Sequence, residues 1–204
     1  MTGDAEPTDD ELVRRSILQP DSDAFTRLIQ RHQSRLRLFL RGLCHQPDLA
    51  DELAQETFIK AHRSLPSFKF QASFKTWLMS IGRNCWLDQT RLASYQKFTA
   101  LDQDENFIAS HESNASTSVD DASTHLEDQL IFSIDLHRAM LQLSRTEREV
   151  IAHCYFADLS MSETAALMTL PLGTVKTHAH RSLVKLKQLL SAWQNQSTIE
   201  RLNT

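Results

Sequence analysis

Leu159-Ser160-Met161-Ser162-Glu163-Thr164-Ala165, followed by Leu170-Pro171-Leu172-Gly173-Thr174-Val175-Lys176-Thr177, is the stretch whose reading decides the fold. Ser160 and Glu163 have the spacing of a capping box, in which a hydroxyl and a carboxylate satisfy reciprocal backbone donors where a helix starts. Thr169-Leu170-Pro171 ends that helix, because proline lacks an amide donor and disfavours helical geometry in the residue before it. A further helix begins near Leu172, with Val175, Ala179, Leu186 and Leu190 on its inner side. A short capped helix, a tight turn and a longer basic helix make a helix-turn-helix pattern.

The longer helix carries Lys176, Thr177, His178, His180, Arg181, Lys185 and Lys187. Helical spacing puts Lys176, Thr177, His180 and Arg181 on one face, opposite Val175, Ala179 and Leu183. A helix that reads duplex DNA needs side chains near its first turns that reach base edges, with cations beside them for phosphates. A basic solvated helix end, in which Lys and Arg merely oppose the macrodipole, has similar charge. The capped helix and turn ahead of it balance those two readings.

Ser144-Arg145-Thr146-Glu147 forms an earlier capping box. Upstream of it, residues 98–128 hold eight acids (Asp102, Asp104, Glu105, Glu112, Asp120, Asp121, Glu127, Asp128), no Lys or Arg, and the polar run Ser113 to Ser118. With no helical or strand period, this stretch reads as an acidic flexible linker. It also explains the net charge of −4: outside it, 22 Lys and Arg face the remaining 18 of 26 acids. The expected organisation is all-α, with helical domains at 1–97 and 129–204 on either side of the linker at 98–128.

In the first domain, Phe25, Leu28, Ile29, Leu36, Phe39, Leu40 and Leu43 recur at helical spacing from Asp23 onward. A second helix is expected from about Asp48 to Leu65, stopping at Pro66, with Leu49, Leu53, Phe58 and Ala61 inward. A third starts near Ser73 and lines Phe74, Trp77, Leu78, Ile81, Cys85 and Leu92 along one stripe. With only 4 Gly and 5 Pro, folds built from many tight turns are excluded. No apolar run approaches the ~18 residues of a membrane span. The acidic start, Met1 to Glu11, lacks a signal peptide's apolar segment. A cytoplasmic protein without membrane insertion is expected. Cys44, Cys85 and Cys154 are too scattered for a disulfide framework or a metal knuckle and read as small core residues.

The Leu159–Ala165 and Leu170–Thr177 blocks, with Leu143 to Val150 and Tyr155-Phe156 ahead of them, closely resemble region 4 of the extracytoplasmic-function sigma factors of the sigma-70 family. Asp51-Glu52-Leu53-Ala54-Gln55-Glu56-Thr57-Phe58-Ile59-Lys60-Ala61 resembles region 2.2. Phe74-Lys75-Thr76-Trp77-Leu78, with Ile81-Gly82-Arg83-Asn84 and Asp88, resembles regions 2.3 and 2.4. The resemblance implies a transcription initiation factor and not an enzyme, with no metal or cofactor. Its partners are core RNA polymerase, promoter DNA and a cognate anti-sigma factor. Glu52, Gln55 and Glu56 would dock on the clamp helices of the largest polymerase subunit, and the second domain would meet the flap region. Phe68, Lys69, Phe70, Arg83, Asn84 and Arg91 would handle the melted minus-ten strand, although Phe68 and Phe70 read equally as core. Lys176, Thr177, His178, His180 and Arg181 would read the minus-thirty-five element. His178 stands where the family usually has Arg, Met168-Thr169 where it usually has Leu-Gly, and Thr164 and Ala179 also depart, which bears on promoter preference.

Two other classes are weighed against this. A two-domain helix-turn-helix regulator of the LuxR-like type would leave the Asp51–Ala61 and Phe74–Leu78 blocks unexplained. An enzyme would need more than scattered His32, His62, His153, His178 and His180, since no metalloprotease helix, phosphate loop or nucleophile elbow accompanies them.

Overall fold

Thr8 opens helix α1, Asp9–Leu18, by a capping box: its hydroxyl accepts from the Glu11 amide at 3.3 Å while Glu11 Oε2 accepts from the Thr8 amide at 2.8 Å. The acids Asp9, Asp10 and Glu11 thus form the first turn of a helix that buries Leu12 and Val13, which hydrophobic periodicity alone does not reveal. The computed structural model describes residues 6–19, 23–44, 46–101 and 135–202; these form helices and connecting turns, with no strand among them.

Helix α2, Ala24–Cys44, runs through the first lobe and buries Leu28, Leu36, Phe39, Leu40 and Leu43. Helix α3, Pro47–Ser64, starts on a proline, whose fixed φ suits a first helical turn. It gives way to a 3₁₀ turn, Leu65–Ser67, around Pro66. Helix α4, Phe74–Leu101, is capped by Ser73, whose Oγ accepts from the Thr76 amide at 3.1 Å. At the α2–α3–α4 crossing, a Cβ on Gly82 would stand 3.1 Å from Leu36 Cδ1 and 3.4 Å from Thr57 Oγ1, so the missing side chain lets the helices close. Two expectations change here. Leu92 is not on the buried stripe but 52% exposed. Residues 98–101 of the expected linker continue α4, while 102–128 lie outside the described residues.

In the second lobe a helical stretch at 135–141, α5, precedes α6, Arg145–Ile151, which Ser144 and Glu147 cap reciprocally. The chain then widens into a π turn, Ala152–Phe156, closed by the Ala157 amide on the Ala152 carbonyl at 2.9 Å. Asp158, at φ 56°, reverses it. Helix α7, Met161–Met168, follows with Ser160 and Glu163 as its cap, and ends on Thr169 in the left-handed conformation. Helix α8 spans Leu172–Leu202. Its inner stripe is Val175, Ala179, Ser182 and Leu186; Leu183, expected there, is 41% exposed. The residues split into a core of Met140, Leu143, Ile151 and Leu186 and another of Val150, Ala165, Val175 and Ala179.

The lobes are packed together rather than held apart. Ala152, Ala157 and Leu159 belong to the same buried cluster as the α1–α4 core. Phe39 meets the His153 ring edge-on at 4.8 Å between centroids. Phe156 covers Gly42 so closely that a Cβ there would fall 2.4 Å from its ring. Around this apolar contact, Lys75 Nζ donates to the Asp158 carbonyl at 2.6 Å, Arg35 pairs with the Asp158 carboxylate at 3.1 Å, and Thr76 Oγ1 donates to Glu163 Oε1 at 2.6 Å. No helix among the described residues is long and apolar enough to cross a membrane.

Candidate nucleic-acid and polymerase interfaces

The α7–turn–α8 unit follows from its caps. The Thr169 and Leu170 amides turn back onto the Ala166 and Ala165 carbonyls at 3.3 and 3.0 Å, closing α7 in a left-handed cap that frees the chain to start α8. Burial of Val175 and Ala179 then fixes the rotation of α8. Lys176, Thr177, His180 and Arg181 face solvent, and His178 is half-buried beside them. Thr177 donates its hydroxyl to the Gly173 carbonyl at 2.8 Å. No carboxylate among the described residues pairs with Lys176 or Arg181. Further along, Lys185 is engaged by the Gln142 carbonyl, so it ties α8 to the end of α5.

On the first lobe the expected strand-handling residues do not share one environment. Phe68 is buried among Phe70, Phe74 and Trp77, its ring 4.8 to 6.4 Å from theirs, so it props up the 65–73 segment. Phe70, at φ 56°, is half-buried, with the Arg14 guanidinium of α1 over its ring at 4.5 Å. Lys69, Asn84 and Arg91 are exposed; Arg91 has only a long 3.8 Å approach to Asp88.

Arg83 is different. Its Nε and Nη2 both lie 2.8 Å from Glu149 Oε2 on the second lobe, and its side chain is 18% exposed against 6% for Glu149. Arg145 reaches the other Glu149 oxygen at 3.3 Å while lying over the buried Trp86 ring. His153, one turn on, donates Nδ1–H to the Glu149 carbonyl at 2.7 Å. That fixes its tautomer, since a carbonyl only accepts. Its Nε2 is buried with no partner among the described residues. Burial, reinforced by the Arg83 cation, lowers its pKa to about 4, so the ring is neutral. The Thr76 hydroxyl, then the Ser160 cap, hold Glu163 below the usual carboxylate range.

On α3, Glu52, Gln55 and Glu56 are all exposed, with Glu56 paired to Lys60 at 2.8 Å. Asp51 is turned to Arg37 and Arg41 of α2 at 3.4 and 3.6 Å. Sequence reasoning missed the inter-lobe set, Gly42, Lys75, Thr76, Trp86, Glu149, His153 and Asp158. Nothing local to these residues signals a partner so distant in the chain. Helix α1 did carry a signal, in the Thr8–Glu11 spacing.

Comparison with known proteins places the chain in a family. Sigma-70 region 2 matches residues 28–94, and sigma-70 region 4 matches residues 133–186. The ECF RNA polymerase sigma factor SigW of Bacillus subtilis is 27% identical, covering 86% of this chain and 94% of its own length. The ECF RNA polymerase sigma-E factor of Haemophilus influenzae is 29% identical over 86% of this chain and 91% of its own. The fold resembles the sigma factor RpoE of Bartonella quintana, solved with the anti-sigma factor NepR, with a TM-score of 0.65 and 28% identity over 83% of this chain and 98% of that one. CnrH, solved with the cytosolic domain of CnrY, shares the fold at a TM-score of 0.62 and 23% identity over 90% and 97% of the two chains. With both conserved regions present in order and relatives matched nearly end to end, the chain belongs to the sigma-70 family, as a sigma factor of the extracytoplasmic-function group.

Proposed function

We propose that this sigma factor binds core RNA polymerase through the α3 face of Glu52, Gln55 and Glu56, and directs it to promoters through α8. In this reading Lys176, Thr177, His178, His180 and Arg181 read the minus-thirty-five element. Lys69, Phe70, Arg83, Asn84 and Arg91 act on the melted minus-ten strand, with Phe68 supporting them from beneath. The first unit, residues 1–97 extended by the end of α4, is joined to the second, 129–204, through the acidic stretch between them. The protein works in the cytoplasm and is restrained by an anti-sigma factor, as the relative solved with NepR is bound to one.

One observation carries the reading: the region 2 and region 4 matches fall on different lobes, and each lobe turns a distinct polar face to solvent. A regulator acting beside a resident sigma factor would have no use for the first. An acidic helix face suits a basic coiled coil, and like charges brought together at an interface cost on the order of several kcal/mol. Glu56→Lys should therefore weaken binding to purified core enzyme at least tenfold, by fluorescence anisotropy of the labelled chain. Helicity should not change, because an exposed helix position is usually worth within about 0.5 kcal/mol. Unchanged polymerase affinity with intact helicity would remove the docking assignment.

A further inference from the structure

Arg83 is both the family-matched residue for the melted strand and the residue most firmly held by the second lobe. It cannot do both at once. Its two donors converge on one oxygen of a carboxylate with 6% side-chain exposure, and a buried carboxylate without its partner is strongly disfavoured. The neighbouring positions on α4 are engaged in the same way: Lys75 on Asp158, Thr76 on Glu163, Trp86 under Arg145. By contrast Glu52, Gln55, Glu56, Lys176, Thr177 and Arg181 remain exposed in the same arrangement.

We infer that the α4 face of Lys75, Thr76, Arg83 and Trp86 serves two partners in turn, the second lobe of the same chain and single-stranded DNA, so that the packed arrangement withholds strand capture while leaving polymerase docking and duplex reading available. This rests on the strand-handling role of Arg83 proposed above.

The contact is built to separate as well as to form. Its apolar part joins Phe39 and Gly42 to Ala152, His153 and Phe156, with Ala157 and Leu159 in the shared core. Much of the rest is charge-assisted hydrogen bonding that water or phosphate can replace. It also buries His153 Nε2 without a partner among the described residues, which works against closure. The supporting segment, Ala152–Phe156, is a π turn, a local geometry recurrent at functional sites. Gly42 is the steric device: only a residue without Cβ admits the Phe156 ring, and alanine there suits the helix better than glycine.

The test uses the full chain and two variants outside the DNA-contacting set. Glu149→Gln removes the charge that holds Arg83, and Gly42→Ala drives Phe156 away while favouring α2. Small-angle scattering should show a larger radius of gyration for both. Affinity for a fluorescein-labelled random-sequence single-stranded 12-mer should rise about three- to tenfold, and Arg83→Ala added to Glu149→Gln should cancel the gain. Affinity for duplex DNA should stay within twofold. Should Glu149→Gln fail to fold by circular dichroism, Gly42→Ala alone carries the test. The inference is overturned if the folded variants do not expand, or if they expand without gaining single-strand affinity. Core-dependent transcription by the wild-type chain is measured alongside: its absence would count against the proposed function, whereas transcription without the single-strand gain would count against this inference alone.

Discussion

Arg181 and Lys185 lie one turn apart on α8 and have different fates. Arg181 faces solvent near the start of the helix, where a recognition helix meets base edges, while Lys185 is held by the Gln142 carbonyl. Arg181→Ala should cost roughly 1–3 kcal/mol on the preferred minus-thirty-five element and little on a scrambled one. Lys187→Ala should weaken both DNAs alike and lower the salt slope by about one or less. Binding over a salt series on the two DNAs separates these outcomes, and equal losses for Arg181→Ala would make it a phosphate clamp. His153 gives a pH dependence. Its folded pKa of about 4 lies below the ~6.5 of an unfolded histidine. Between those values the unfolded chain takes a proton that the folded chain refuses. The neutral ring therefore contributes full stability above about pH 6.5, and that contribution is lost as pH falls towards 4, by at most on the order of 3 kcal/mol. Urea midpoints at pH 7.5 and 5 should differ less for His153→Gln than for the wild type; equal differences would mean that His153 is not a buried neutral group.

At the scale of the elements, the caps do most of the specifying. Ser144 and Glu147 exchange bonds across the first turn of α6, at 3.4 Å to the Ser144 hydroxyl and 2.9 Å to the Glu147 carboxylate. The amide of Ser144 lowers the pKa of Glu147 and holds it ionised. Ser144→Ala should cost about 1 kcal/mol in chemical denaturation; a change indistinguishable from zero would mean that the box is not formed in solution. Such signals are local, which is why α6, α7, the turn at Thr169 and the register of α8 were legible in the sequence. The first-lobe stripes were legible for the same reason, as Leu28, Leu36 and Leu40 repeat at helical spacing. Leu92 and Leu183 failed because periodicity gives a face but not the extent of what covers it. In α8 the inner position fell to Ser182, a polar residue that no hydrophobic pattern selects. The candidate face on α8 was read from helical spacing, and that on α3 from the resemblance to region 2.2. The Arg83–Glu149 pair was not, since its members stand 66 positions apart and each reads alone as an ordinary helix charge.

For the whole molecule, two lobes share a buried cluster in which Ala152, Ala157 and Leu159 complete the α1–α4 core. In the function proposed above, three polar faces divide the work: α3 for polymerase, α8 for duplex DNA, and α4 for the opened strand. Asn84 is exposed beside the engaged Arg83, and the proposal assigns it to the last of these. Asn84→Ala should leave duplex binding unchanged and reduce permanganate reactivity at the melted promoter several-fold; normal melting would take Asn84 out of strand capture. The central claim is that this chain converts core polymerase into a promoter-specific enzyme, and in vitro transcription tests it most directly. Purified chain and core enzyme, given a library of genomic fragments, should yield discrete transcripts that neither component yields alone, sharing paired elements upstream of their starts. Transcription no different from core enzyme alone would contradict the account.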